Sequence, residues 1–401
     1  MPDIAAIFKD MADKLEFLSH HEKKVIQDIT QCRTEVLGGN VFICDSCGHF
    51  EVHYNSCRNR HCPKCQNLAR LQWVTMQLQH ILPVPYFHAV FTIPEEIKLP
   101  ALYNKKAIYN LLFSSVHKTL LAVAKRKENL GMGVGGISVL HTWNQKLDFH
   151  PHIHCILPGV GRLPDGNFQI NSSDRFFLSV KKLSIVFRGI FVRSLQKLYS
   201  SGSLRTTGKI SNLSNPKAFS FLLGKSCSHK WVVYLKRPFG GPEKVFQYLG
   251  KYTHRVGISN QRIVSADNGS VVFSYIDRKD HNTRKLLTLS SIVFVKRFIL
   301  HILPSRFVKI RYFGFLANCV RKKLAPLCKD SISKELGIDQ EMIPRSFEIA
   351  IYTATCLRKE YQCPKCGKPM QLCDSFMKQS ERGKVSAGGQ AVGSSMLYGS
   401  S

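Results

Sequence analysis

The residues that most restrict what this chain can fold into are the cysteines of "CDSCGHF" and "SCRNRHCPKCQ". Cys44 and Cys47 form one Cys-x2-Cys pair and Cys62 and Cys65 a second, with fourteen residues between the pairs. Such a turn presents two thiolates at a tight corner, and two corners close a tetrahedral Zn²⁺ site. His49, His53, Cys57 and His61 lie in the same run, and Cys57 or a histidine can replace one of the four. A four-ligand site leaves no position open for chemistry, so the zinc expected here is structural. Near the other end, Cys356, Cys363, Cys366 and Cys373 form a symmetric array around "CPKCG", a candidate second zinc site.

The opening "MPDIAAIFKDMADKLEFLSH" carries early acidic residues and no apolar core segment, unlike a secretory signal. A reducing, cytoplasmic compartment is expected, so the 14 cysteines read as metal ligands and not as a disulfide framework. The charge, 57 − 27 = +30, is costly in self-repulsion unless the working partner is a polyanion. Nucleic acid, bound through its phosphates, is the expected partner. No apolar run reaches the roughly 18 residues that span a bilayer, and no basic amphipathic helix stands out, so a membrane partner is not expected.

The hydropathy pattern gives an α+β chain in five segments. Residues 1–80 hold a helical lead-in, the cysteine run and "QNLARLQWVTMQLQHIL", which has helical periodicity. Residues 81–290 mix strand candidates ("YFHAVFTIP", "GISVLHTW", "FHPHIHCIL", "KWVVYLKRP") with helices near 100–127 and 180–200. Within this segment "QRIVSADNGSVVFSYID" reads as a hairpin turning at Asn268-Gly269, and "PEKVFQYLGKYTHR" as a helix. Residues 291–350 read as basic and helical, 351–376 as a zinc knuckle, and the Gly/Ser-rich 377–401 as a disordered tail. "LLGKSC" ends like a phosphate loop, but Phe219 stands where its first glycine belongs. "GMGVGG" lacks dinucleotide-site spacing. No ATPase motor is recognisable.

On a strand, residues two apart share a face, so His152 and His154 of "HPHIH" present their imidazoles together. Ile153 and Cys155 then point into the core, and Pro151 marks the strand's start. A hundred residues on, Tyr248 and Tyr252 of "QYLGKYTHR" emerge from one helix face, with Lys251 and Arg255 beside them. A phenol is a poor nucleophile near neutral pH unless a cation or base assists it, and these neighbours could stabilise a phenolate or bind phosphate.

These stretches, with "FILHILPSRFVKIRYFGFLAN", occur in the order seen in two-tyrosine HUH transposases of bacterial rolling-circle insertion sequences, which the chain resembles over roughly residues 30–370. The resemblance implies an HUH endonuclease fold, an antiparallel sheet flanked by helices, behind an N-terminal zinc-binding domain and before a basic helical C-terminal region. It implies that His152 and His154 sit on a central strand facing the tyrosine helix. Two imidazoles need at least one more ligand on a divalent ion. Gln145 is the first choice for it, with His150 and His141 as rivals, and an oxygen-containing set would favour Mg²⁺ or Mn²⁺.

Tyr248 or Tyr252 is then expected to attack the scissile phosphate, leaving a 5′-phosphotyrosine and a free 3′-OH, so that strands can be rejoined without ATP. The sequence departs from the family in "PGVG", where Val160 interrupts a stretch usually richer in glycine. It contains no helicase, so unwinding falls to host helicase or replication machinery. Lys309, Arg311, Arg321, Lys322 and Lys323, mixed with Tyr312, Phe313 and Phe315, suit single-stranded or hairpin DNA ends. A replication initiator of the same chemistry is the nearest alternative. A non-catalytic zinc-ribbon regulator would explain the charge and cysteines but not the histidines and tyrosines.

Overall fold

A computed structural model describes residues 2–15, 18–78, 82–126, 131–170, 178–236, 250, 257–337 and 362–376. The chain begins with α1 (Ile4–Asp10) and α2 (His20–Thr30), the latter started by a capping box between Ser19 and Glu22. β1 (Gly39–Ile43) and β2 (Phe50–Tyr54) follow, then α3 (Gln66–Leu78). Next come β3 (Tyr86–Thr92), α4 (Glu95–Tyr103), α5 (Lys105–Ala124), β4 (Gly136–Trp143) and β5 (Phe149–Pro158). A small hairpin, β6 (Val160–Arg162) and β7 (Phe168–Ile170), leads to α6 (Val180–Ser200), α7 (Pro216–Cys227) and β8 (Val233–Lys236). The second half holds β9 (Ile263–Asp267), β10 (Ser270–Asp277), β11 (Thr283–Ser290), α8 (Ser291–Leu300), β12 (Ile310–Phe313), α9 (Asn318–Leu336) and β13 (Gln371–Phe376).

The central sheet has the order β12-β4-β5-β3-β8, with every pairing antiparallel. Alternation along the strands sorts its two faces. Phe87, Ala89, Phe91, Leu140, Ile153, Cys155 and Leu157 point to one side and are buried under helices α4 to α7. Each large apolar side chain sealed there contributes about 1.5–3 kcal/mol. α5 is long and apolar enough by composition to cross a bilayer, and most of its apolar residues are instead sealed in this core. The other face carries the histidines at one end. At the other end Tyr86, Ile137, Val139 and Ile156 pack with Trp73 of α3 and with Leu324, Cys328 and Ile332 of α9.

A separate core joins α1 and α2 to α8 and the β9–β10–β11 sheet, with the ring of Phe8 edge-on to Phe298 at 5.1 Å. The expected hairpin is β9–β10, turning at Asn268-Gly269. "KIRYF" departs from expectation: the helical reading fails because Ile310–Phe313 is an edge strand, laid against β4 from Ile310↔Val139 to Phe313↔Gly136. Within the 351–376 segment expected to form a zinc knuckle, β13 pairs with β1, in the order β13-β1-β2. "LLGKSC" lies within α7, so it forms no phosphate loop. The expected helix around Tyr248 lies outside the described residues, Gly250 excepted, as do Cys356 and the tail after 376.

Candidate active site

The β4–β5 hairpin builds the histidine site. His141 stands directly across from His152 and Val139 across from His154, while β3 flanks the other side with Thr92↔His152. The tip of the hairpin is set by Asn144, whose Oδ1 accepts the N–H groups of Lys146 and Asp148, each at 2.9 Å. Arg297 holds Asp148 at 2.8 Å, and a ring nitrogen of His301 lies 3.1 Å from the carbonyl of Leu147.

Three imidazoles, His141, His152 and His154, gather with one ring nitrogen of each within 4.8 Å of the others. The Nδ1 of His152 lies 2.6 Å from the backbone carbonyl of His150, so it must donate its proton there and leave Nε2 with a lone pair. His154 Nδ1 is 2.8 Å from Nε2 of His88, and the two rings are stacked. With Nδ1–H as the donor in that bond, Nε2 of His154 keeps its lone pair for the triad. Burial brings His152 down to about 3 and His88 to about 4, and holds His154 well below the ordinary histidine value. His152, His154 and His88 are thus neutral near pH 7, the form in which histidine binds a metal.

The ring that joins those of His152 and His154 is that of His141, which the sequence offered as a rival to Gln145. Gln145 sits in the hairpin turn, four residues beyond His141 in the sequence. Its backbone carbonyl accepts from Arg262 at 2.5 Å. His150 lines up behind His152, with ring centroids 5.2 Å apart, and supplies its carbonyl and not its ring. The three imidazoles bring no oxygen ligand, the donor on which the expectation of Mg²⁺ or Mn²⁺ rests. Imidazoles suit borderline ions such as Zn²⁺, Fe²⁺ or Ni²⁺ and suit Mg²⁺ poorly, because Mg²⁺ prefers oxygen.

Gly250, which lies between Tyr248 and Tyr252 in the sequence, is buried. A methyl group added there would stand 2.4 Å from Cγ2 of Val74 and 3.4 Å from Cγ of Arg70, both on α3. α3 in turn packs Trp73 on the histidine-bearing face of the sheet, and its Gln77 accepts from the Tyr312 hydroxyl at 2.9 Å. Tyr248, Lys251, Tyr252 and Arg255 themselves lie outside the described residues.

The cysteines regroup. Cys62 and Cys65 cluster with Cys57 and with Cys32 after α2, while Cys44 and Cys47 cluster with Cys363 and Cys366. In the first group the sulfur of Cys65 is 3.5 Å from that of Cys32 and 3.7 Å from that of Cys57. Hydrogen bonds from Cys32 and its neighbours push Cys65 far below the ordinary thiol value, and bonding to Cys57 brings Cys32 to about 7. The expected set Cys44, Cys47, Cys62 and Cys65 therefore does not meet. β1 and β2 carry the first pair toward β13, while the second pair opens α3 beside α2. His49 and His53 approach Glu51 instead, and His61 accepts the N–H of Leu303 at 3.4 Å. Cys373 is exposed on β13, outside both groups.

The basic residues also divide. Arg311 points to the face opposite the histidines, stacked over Phe113 at 4.1 Å and bonded to Asn110 at 2.5 Å. Arg321 lies over Tyr312 and, with Lys322, rims an apolar cavity of about 480 Å³ on the histidine-bearing face, floored by Tyr86 and Ile156. Lys323 is exposed. Lys309, drawn down to about 8 by burial, lines a small hollow beside Arg60 and Trp143. Sequence reasoning missed His88 and Cys32. His88 stands in the quoted "YFHAVFTIP", and its spacing from His154 becomes informative only once β3 and β5 are known to pair.

The N-terminal cysteine cluster and the helix-flanked sheet define an α+β protein with a metal-type domain in front of its catalytic candidate. Residues 135–323 match the family model described as putative transposase, and residues 4–93 match the one described as transposase zinc-binding domain. A putative transposase, y4qJ of Sinorhizobium fredii (strain NBRC 101917 / NGR234), is 40% identical over 370 residues, covering 91% of this chain and 93% of the relative. The transposase for insertion sequence element IS801 of Pseudomonas savastanoi pv. phaseolicola is 28% identical over 308 residues, covering 76% and 72%. The chain belongs to this family of insertion-sequence transposases with an N-terminal zinc-binding domain. Among solved structures, the conjugative relaxase TrwC complexed with a 27-mer DNA of recognition hairpin and cleavage site is 14% identical. It covers 63% of this chain and 74% of its own, at a TM-score of 0.23, too loose a likeness to inform the chemistry.

Proposed function

We propose that this transposase cuts and rejoins single-stranded DNA at the ends of its element through a 5′-phosphotyrosine, in rolling-circle-type transposition. The observation that carries the reading is the gathering of His141, His152 and His154 on one hairpin of the central sheet, and Gly250, which lies between the two tyrosines in the sequence, packs against Val74 of α3. His141, His152 and His154 would hold a divalent ion through their ring nitrogens, and such an ion would polarise the scissile phosphate as a Lewis acid. His150 and His88 act as positioning residues. Each fixes one ring nitrogen of a triad member and turns the other toward the shared centre.

The chemistry of the chain's own groups is then simple. The phenol of Tyr248 or Tyr252 gives up its proton, its oxygen bonds phosphorus, and the 3′ oxygen of the preceding nucleotide departs as a hydroxyl. Lys251 and Arg255 offer cations beside the developing charge. The bond to tyrosine keeps the energy of the original diester, so a 3′-OH attacking it reverses the step. A second tyrosine lets a second strand be cut while the first is still held. The basic rim of Arg321 and Lys322 around the apolar cavity suits phosphates flanking an unpaired base, which favours single-stranded over duplex DNA. The cluster of Cys32, Cys57, Cys62 and Cys65 holds structural zinc in this reading.

The test is an element-end oligonucleotide incubated with the full chain and, in turn, Mn²⁺, Zn²⁺ or Ni²⁺, and run on a denaturing gel. A 3′-end label should travel with the protein, and a 5′-end label should leave on a fragment ending in 3′-OH. Y248F and Y252F should each lower the adduct, and the double variant should abolish it. An adduct that persists in the double variant, or that carries the 5′ label, overturns the proposal.

A further inference from the structure

Two turns at opposite ends of the chain are built alike. Cys44-Asp45-Ser46-Cys47-Gly48 follows β1, and Cys363-Pro364-Lys365-Cys366-Gly367 precedes β13. In each, the first cysteine's N–H bonds the carbonyl five residues on: His49 at 2.8 Å and Lys368 at 2.7 Å. In each, the glycine's N–H returns to the first cysteine's carbonyl at 2.8 Å. Gly48 and Gly367 sit at φ 66° and 71°, a left-handed conformation that glycine adopts without strain. The local sequence therefore shapes each turn, and each presents its two thiols at one corner.

The ladder between β1 and β13, from Gly39↔Phe376 to Ile43↔Gln371, sets the two corners face to face. The sulfur of Cys44 is 3.5 Å from that of Cys366, and that of Cys47 is 3.5 Å from that of Cys363. Four sulfurs each about 2.3 Å from a tetrahedral ion stand about 3.8 Å apart. A disulfide would need about 2.05 Å. The first cysteine of each turn is buried against Phe42 and Met370, and the second faces outward. The matched family segments end at residues 93 and 323, short of the second turn.

We propose that Cys44, Cys47, Cys363 and Cys366 bind one structural zinc ion, completing a ribbon whose halves come from the two ends of the chain. Four thiolates are a soft, closed donor set, which selects zinc over oxygen-seeking ions and leaves no coordination position for catalysis. The ion joins cysteines 316 and 322 residues apart and fastens the segment after α9 to the N-terminal domain. It is a different ion from any held by the Cys32 group and does not enter the strand-cleavage chemistry.

Differential alkylation of the full-length, zinc-loaded protein tests this directly. Iodoacetamide followed by peptide mass mapping should find Cys44, Cys47, Cys363 and Cys366 protected together, although Cys47 and Cys366 are exposed. Cys319 and Cys373, also exposed, should react at once, and a zinc chelator should unmask the four as a set. Reaction of Cys363 and Cys366 at the rate of Cys373 before chelation overturns the proposal. Zinc counting by mass spectrometry gives a second reading. C363S/C366S should lose one ion, C44S/C47S should lose one, and the fourfold variant should still lose only one. A loss of two in the fourfold variant, or none in C363S/C366S, overturns the shared site, and if the variants precipitate, the alkylation pattern of the unaltered protein decides.

Discussion

The histidine site and the cysteine sites are both clusters of metal-ligating side chains, but they are assembled in opposite ways. His141, His152 and His154 come from one hairpin, and the antiparallel register that brings them together is set by a five-residue turn. The cysteine groups are assembled across the fold. One draws Cys32 from the end of α2, and the other pairs residues more than 300 positions apart. A local site is positioned by its own secondary structure, whereas a long-range site depends on the fold and in turn constrains it.

That contrast can be broken most forcefully by removing one member of each. H152A should lower strand cleavage by about a thousandfold or more while leaving zinc content and melting temperature near wild type. C57S should lose one zinc and lower the melting temperature by about 10 °C, with cleavage falling only as the fold does. Calorimetry beside a cleavage assay checks both, and a large melting shift in H152A would erase the distinction. Next in size, H88F should weaken divalent-metal affinity about 10- to 100-fold, measured by titration calorimetry, because His154 loses the partner that orients it.

G250A should slow adduct formation about tenfold by pressing on Val74, and V74A should restore much of the rate. Failure of that rescue would mean the tyrosine segment is not set by α3. The smallest effect separates two kinds of basic residue. K322A should reduce the slope of log affinity against log salt by about 1, while R311A should leave that slope unchanged and lower stability by about 1 kcal/mol through its lost stacking on Phe113.

What could be read from the sequence follows the same division. The strand of "HPHIH", its two faces, the Asn268-Gly269 hairpin and the helices at α3, α5 and α6 were legible because periodicity and turn chemistry are local signals. The third imidazole was ambiguous because His141 gains meaning only from its register against His152. "KIRYF" was misread because a four-residue edge strand is fixed by its neighbour β4 more than by its own pattern. The cysteine spacing announced metal-type corners correctly, but which corners meet is decided by β1 pairing with β13. Arg311, grouped by composition with DNA-binding cations, belongs to the opposite face of the sheet by strand parity.

The place of β13 beside β1 also has a consequence in time. β1 emerges early from the ribosome and its outer partner emerges some 330 residues later, a delay of roughly 15 s to a minute at ordinary elongation rates. Throughout that interval the growing chain carries an unpaired strand edge, the kind of surface on which chaperones act and aggregation begins. Any product cut short before residue 371 keeps that edge open for good.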